Sequence, residues 1–188
     1  MEEKYKQQAS DLLKVVLFGP ESTGKTTLSK QLARHYNTVW VPEYARDYLQ
    51  KKWNSEQKIC EPDDLLPIAA GQMQLENSLA QKATEILICD TDLLETKVYS
   101  EAYYRGICDP ILEKYALQNK YDLYLLTYID IPWEKDDLRD KPQEREQMFS
   151  YFKNTLEKHK RNFVILRGNK EARLKAAISH IDKLLEND

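Results

Sequence analysis

Gly19, Gly24, Lys25 and Thr26 fall in the stretch FGPESTGKTTL, which runs from Phe18 to Leu28. Two glycines with four residues between them, followed by lysine and a hydroxyl, are the elements of a loop that wraps a phosphate. Backbone N–H groups point at the anion, and the glycines permit turns and a close approach that a Cβ would block. On this reading Gly19, Glu21, Ser22, Thr23, Gly24, Lys25, Thr26 and Thr27 hold the phosphates of ATP. Lys25 reaches the β- and γ-phosphates, and the Thr26 hydroxyl ligates Mg²⁺. Glycine is scarce, 5 in 188 residues, and two of the five lie in this loop. An ordinary turn with a surface lysine is therefore a weak alternative.

Other residues carry chemistry at comparable positions. Asp90 ends the apolar run ILIC and is followed by Thr91-Asp92. A carboxylate at a strand tip beside such a loop suits a Mg²⁺ ligand, while Asp90 and Asp92 also have the form of helix N-caps. Glu43 and Arg46, in VPEYARDYL, lie just past another strand. A carboxylate and a cation there suit the base and the holding group of a small-molecule acceptor, though a glutamate also favours a helix start. The segment DIPWEKDDLRDKPQEREQMF carries Arg139 and Arg145. Arginines on a flap can close over a transferring phosphoryl group, and they also suit a solvated, salt-bridged loop. Asn119-Lys120-Tyr121-Asp122 has guanine-reading spacing but precedes its strand, at the wrong edge of the sheet. His35, His159 and His180 are scattered over helices. Tyr99, Tyr103 and Tyr104 read as a packing stripe.

These residues need a sheet whose strand tips converge. Apolar strands are expected at Lys14–Phe18, Thr38–Val41, Ile86–Cys89, Leu123–Ile129 and Phe163–Leu166. Helices are expected near 24–36, 63–83, 93–104, from Asp109-Pro110 onward, 142–158 and 171–185. Alternation of this kind gives a parallel sheet covered on both faces, an α/β fold in three layers. The length suits one domain, 1–188. A net charge of -3 and a pI of about 5.7 argue against nucleic-acid or membrane-surface binding. Three dispersed cysteines form no metal or disulfide pattern, and the charged N-terminus has no apolar signal core. A cytoplasmic location is expected.

Taken together, GPESTGKTTL, PEYARDY, CDTD and IPWEKDDLR followed by Arg145 resemble the ribosylnicotinamide kinase domain of NadR-type NAD-salvage proteins. The resemblance runs from Val15 to about Arg173. It implies a P-loop fold with sheet order 2-3-1-4-5, a lid after strand four near 131–147, and transfer of the γ-phosphate of ATP to the 5′-hydroxyl of nicotinamide riboside. Lys25, Asp90, Glu43, Arg139 and Arg145 are then the catalytic residues, with Thr26 and Asp90 on the metal. Glu43, Tyr44, Arg46, Asp92, Trp133 and Asp136 match the acceptor side. Glu43 and Asp90 are both candidates for the base. Pro42 stands where the family has an aromatic able to stack on nicotinamide, which leaves Trp40 as its substitute. Asp137 replaces a lid glycine. The length implies a stand-alone kinase. Glu21, at home in the family loop, is expected to point outward to Arg46 or Arg139. A kinase of another nucleoside or small metabolite, and an ATP-dependent switch with a protein partner, remain the alternatives.

Overall fold

The structure is a computed structural model that describes residues 2–138 and 142–186. Five parallel strands form one sheet in the order β2-β3-β1-β4-β5. They are β1 (Leu13–Phe18), β2 (Trp40–Val41), β3 (Ile86–Asp90), β4 (Leu123–Thr127) and β5 (Phe163–Leu166). The central strand β1 pairs with β3 from Leu13–Ile86 to Leu17–Asp90, and with β4 from Val15–Leu123 to Phe18–Leu126. This register brings the ends of β1, β3 and β4 to one edge.

The central strands are continuous apolar runs because both faces of the sheet are covered. Side chains alternate between the two faces. Val15, Leu17, Ile88 and Leu125 pack on α1 (Lys25–His35) and α7 (Lys170–Leu185), through Leu28, Leu32, Ala177 and Ile181. Val16, Phe18, Cys89 and Leu126 face the opposite layer, made of α3 (Leu65–Ala80), α4 (Leu93–Tyr103), α5 (Pro110–Gln118) and α6 (Arg145–Lys158). There Phe18 meets Phe152 and Tyr124 edge-on, with ring centroids 4.9 and 5.3 Å away. The three-layer α/β P-loop fold expected from the sequence is the fold observed.

The elements differ from expectation at three places. β2 keeps two residues instead of four, because Asn37 is left-handed and Pro42 lacks the N–H that would extend the ladder. β4 stops at Thr127 rather than Ile129, although the Tyr128 N–H still donates to the Leu166 carbonyl at 3.0 Å. A further helix, α2 (Tyr44–Glu56), follows β2. Asn119 caps α5, and Asp122 accepts from the N–H of Lys14 at 2.7 Å. That tetrapeptide thus sits at the starts of β1 and β4, away from the phosphate-binding edge.

None of the α2 residues is fully buried, so the helix is held mainly by what it presses on. The Tyr44 ring occupies the space above Gly71 of α3. A Cβ built on Gly71 would lie 2.2 Å from that ring, so the glycine is a packing requirement. Gly71→Ala is expected to push α2 off α3 and destabilise the fold by about 1–3 kcal/mol. Urea unfolding of the two proteins checks this, and equal midpoints would contradict the packing described.

Candidate nucleotide-binding site

The loop between β1 and α1 begins with three backbone departures. Gly19 has φ 140°, Ser22 φ 56° and Gly24 φ 82°. Gly19 is obligatory for a second reason: a Cβ there would come within 2.8 Å of Thr127 Oγ1 and 3.0 Å of the Thr127 carbonyl oxygen. Thr23 is pinned from inside, donating to the Pro20 carbonyl at 2.7 Å and sharing a 2.6 Å contact with the Thr127 hydroxyl. Gly24 caps α1 and brings no side-chain acceptor to its first turn. The first N–H groups of α1 and the positive end of its dipole are thus open to an anion.

Lys25 is 7% exposed. Its ammonium donates to the carbonyls of Gly19 at 2.7 Å and Pro20 at 3.0 Å, and pairs with Glu95 at 3.2 Å. Burial alone would lower its pKa, but the carboxylates of Glu95, Glu43 and Asp90 outweigh burial and raise it. The lysine stays cationic inside its loop.

Asp90, at the tip of β3, is 1% exposed. One oxygen accepts from the Thr26 hydroxyl at 2.5 Å, and the other has no hydrogen-bond partner among the described residues. Burial first, and the Glu43 charge second, push its pKa up to about 6. A buried carboxylate oxygen without a donor, beside an exposed hydroxyl, is the donor set that suits Mg²⁺. Among the described residues no group of three or more His, Cys, Asp or Glu forms a metal cage. A cation here would take its other ligands from phosphate and water.

The segment after β4 crosses the loop. The Glu134 N–H donates to Ser22 Oγ at 2.8 Å. Arg145, the first residue of α6, donates to the carbonyls of Ile131 at 2.9 Å and Ser22 at 3.3 Å, and its guanidinium lies 5.7 Å from the centre of the Trp133 ring. Burial lowers the Arg145 pKa. Asp136 pairs with Arg46 of α2, and Gln50 donates to Asp137 at 3.2 Å. Arg139 lies outside the described residues. Glu21 lines a small hollow with Tyr99, Tyr103, Trp133, Arg145 and Met148. Its charge is felt by Arg46 and Tyr99.

Three expected acceptor residues are placed otherwise. Asp92 is 1% exposed and both of its oxygens are engaged: it accepts from the Glu95 N–H at 3.0 Å as the cap of α4, and from the Tyr124 hydroxyl at 2.7 Å. It organises the core and does not face a ligand. Trp40 points to the α1 and α7 side of the sheet, with the Lys30 ammonium 5.2 Å from its ring centre, because alternation along β2 sends Val41 to the other face. It does not replace the missing aromatic. Tyr44 packs on Gly71, as described. By contrast, Glu43 caps α2 without bonding its first turn, and its charge is felt by Lys25, Asp90 and Arg46.

Two residues outside the motifs complete the site. Glu95 of α4 faces Lys25. Arg173 of α7, 4% exposed, donates to the carbonyls of Thr23 at 2.6 Å, Gly168 at 2.8 Å and Tyr128 at 2.8 Å, and pairs with Asp130. It ties the loop to the turn after β5, where Arg167 stacks 3.6 Å from the centre of the Tyr128 ring. The clue to Arg173 is a charge on the buried stripe it forms with Ala177 and Ile181.

The family described as an AAA domain, AAA_28, matches residues 14–173. The chain belongs to this family. It is NadR-like: it is 30% identical over 125 residues to the trifunctional NAD biosynthesis/regulator protein NadR of Salmonella typhimurium, and equally to that of Escherichia coli. Those matches cover 66% of this chain and 30% of each relative, so the matched stretch spans less than a third of their length. A crystal structure of a NadR protein in complex with NR superposes with a TM-score of 0.76 at 25% identity, over 92% of this chain and 51% of that one. A NadR structure with NAD and AMP-PNP gives 0.74 at the same identity, over 92% and 49%. A thymidylate kinase from Ehrlichia chaffeensis shares the fold, with a TM-score of 0.63 at 17% identity over 95% of this chain and all of that one. Among the described residues of this NadR-like chain, no helix is long and apolar enough to cross a membrane.

Asp90 is not needed as the cap of α4, a place that Asp92 fills, and is expected to bear on ligand affinity more than on folding. Asp90→Asn is expected to keep or raise the melting temperature, because it removes a buried carboxyl whose charge burial opposes. The same variant should abolish the gain in nucleotide affinity that Mg²⁺ brings. Calorimetry with and without Mg²⁺ measures both, and an unfolded variant would contradict the assignment.

Proposed function

We propose that the chain is an ATP-dependent kinase that transfers the γ-phosphate to the 5′-hydroxyl of nicotinamide riboside, giving nicotinamide mononucleotide in NAD salvage. The observation that carries this is the joint placement of Lys25, Asp90, Glu43 and a lid bearing Arg145 at one sheet edge, in a chain that superposes on a NadR protein bound to NR. The nucleotide phosphates would lie on the first turn of α1, with Lys25 as a point charge at the β- and γ-oxygens. Thr26 and Asp90 would hold Mg²⁺, which neutralises charge on the phosphate oxygens when bound.

Glu43 is our choice for the base. Asp90 is committed to Thr26, whereas Glu43 projects from the start of α2 with no capping bond to hold it. It would orient the acceptor hydroxyl and take its proton as the phosphoryl group moves. Arg46, which pairs with Asp136 of the segment after β4, would hold the acceptor. Arg145 already touches the loop through the Ser22 carbonyl, and its Nε is buried without a hydrogen bond among the described residues. It would turn that donor to the transferring group on lid closure, with Arg139 following on the same segment.

One observation favours a second reading. Pro42 and the turn of Trp40 to the α1 side leave the aromatic position of the family pattern unfilled, so a different nucleoside or small metabolite could be the acceptor. Mass spectrometry of reactions with Mg²⁺-ATP and a panel of ribosides separates the readings. Nicotinamide mononucleotide at a catalytic rate is expected, and Lys25→Ala should lower that rate about 10²- to 10³-fold. A better riboside would overturn the substrate. ATP binding with no acceptor phosphorylated would overturn the kinase and leave a nucleotide-dependent switch.

A further inference from the structure

Glu95 belongs to none of the recognised motifs, yet it is the carboxylate paired with Lys25. It sits in the first turn of α4, 2% exposed, among Leu93, Leu94 and Val98. A carboxylate at that depth is costly unless it is paired, and apolar packing would fill the place more cheaply. Its two oxygens bridge the phosphate loop. Oε1 lies 3.2 Å from the Lys25 ammonium, and Oε2 accepts from the Gly19 N–H at 3.4 Å. With the carbonyls of Gly19 and Pro20, it gives the ammonium three oxygen partners. Lys25 is parked in its own loop.

We propose that Glu95 is a positioning residue that acts through Lys25, holding the lysine parked so that the loop accepts a nucleotide with its divalent cation far better than a bare one. This rests on reading the loop as a nucleotide site. The reason is charge balance. Burial pushes the Glu95 pKa well above the usual carboxylate range, the Lys25 ammonium pulls it back, and Glu43, Asp90 and Asp92 push it up again, so a bare polyphosphate that draws Lys25 away forces Glu95 to stay charged at a cost or to take up a proton. Phosphate that leaves Lys25 in place must instead approach the Glu95 carboxylate. Either route costs affinity in a low-dielectric site. A divalent cation arriving with the nucleotide restores the missing positive charge beside Asp90, so the penalty falls mainly on the metal-free ligand. A side chain that merely packed would weaken both forms alike.

The test is calorimetric titration of ADP in EDTA and in Mg²⁺, with the full chain and with Glu95→Gln, which keeps the shape and the acceptor oxygen but not the charge. The quantity read is the Kd in EDTA divided by the Kd in Mg²⁺. Glu95→Gln should bind ADP in EDTA about tenfold or more tightly than the unaltered chain, with a change of less than about threefold in Mg²⁺, so the ratio collapses. Glu95→Asp keeps the charge but withdraws it, and should lower the ratio partly. That variant decides the matter if Glu95→Gln does not fold. An unchanged ratio overturns the proposal, with or without a lower melting temperature, as does weaker binding in both conditions. If the unaltered chain binds no ADP in either condition, the nucleotide reading of the loop falls and the proposal with it. A normal titration of the unaltered chain with an unchanged ratio in the variants removes the proposal alone.

Discussion

The site depends on one cation being kept inside a turn that is almost dry. An ammonium at the depth of Lys25 survives only if its donors are met and its charge is answered. The carbonyls of Gly19 and Pro20 meet the donors, and Glu95, Glu43 and Asp90 answer the charge. Those carboxylates come from α4, the start of α2 and the tip of β3. Three separate elements, the end of β3 and the starts of α2 and α4, thus meet around Lys25, on the edge where the parallel register of β1 with β3 and β4 brings the strand ends together.

The backbone carbonyls of the loop are the second shared resource. Ser22 is held by Arg145 from α6, and Thr23 by Arg173 from α7. Two arginines thus grip adjacent peptide units from opposite layers of the fold. Arg173 also takes the Tyr128 and Gly168 carbonyls, so the turn after β5 and the exit of β4 move with the loop. The segment after β4 shares the same loop, since its Glu134 N–H rests on Ser22 Oγ.

On the proposed function, the acceptor side is built differently from the phosphate side. Phosphate handling rests on backbone geometry and buried charge. The acceptor side rests on half-exposed groups, with Arg46 paired to Asp136 of the lid and Gln50 to Asp137. Such pairs are weak individually and readily exchanged for a ligand's polar groups. This is also the part of the chain that departs from the NadR pattern at Pro42 and Asp137, so specificity can vary there without disturbing the phosphate loop.

Local sequence determined a good deal. The order of strands and helices, the loop and the acidic strand tip are all legible, because periodicity, glycine placement and strand ends obey short-range rules. The same rules misjudged residues whose role depends on facing. Asp92 is two positions from Asp90, yet it turns into the core to cap α4 and bond Tyr124. Trp40 falls on the α1 face, because its neighbour Val41 in β2 takes the other. Glu95 and Arg173 were not legible as parts of the site, since their partners lie 70 and 150 positions away in sequence. Sequence could say which groups might meet a phosphate. Only the tertiary structure decided which of them share a face and a charge balance, because burial and pairing are set by strand register and helix packing rather than by neighbours along the chain.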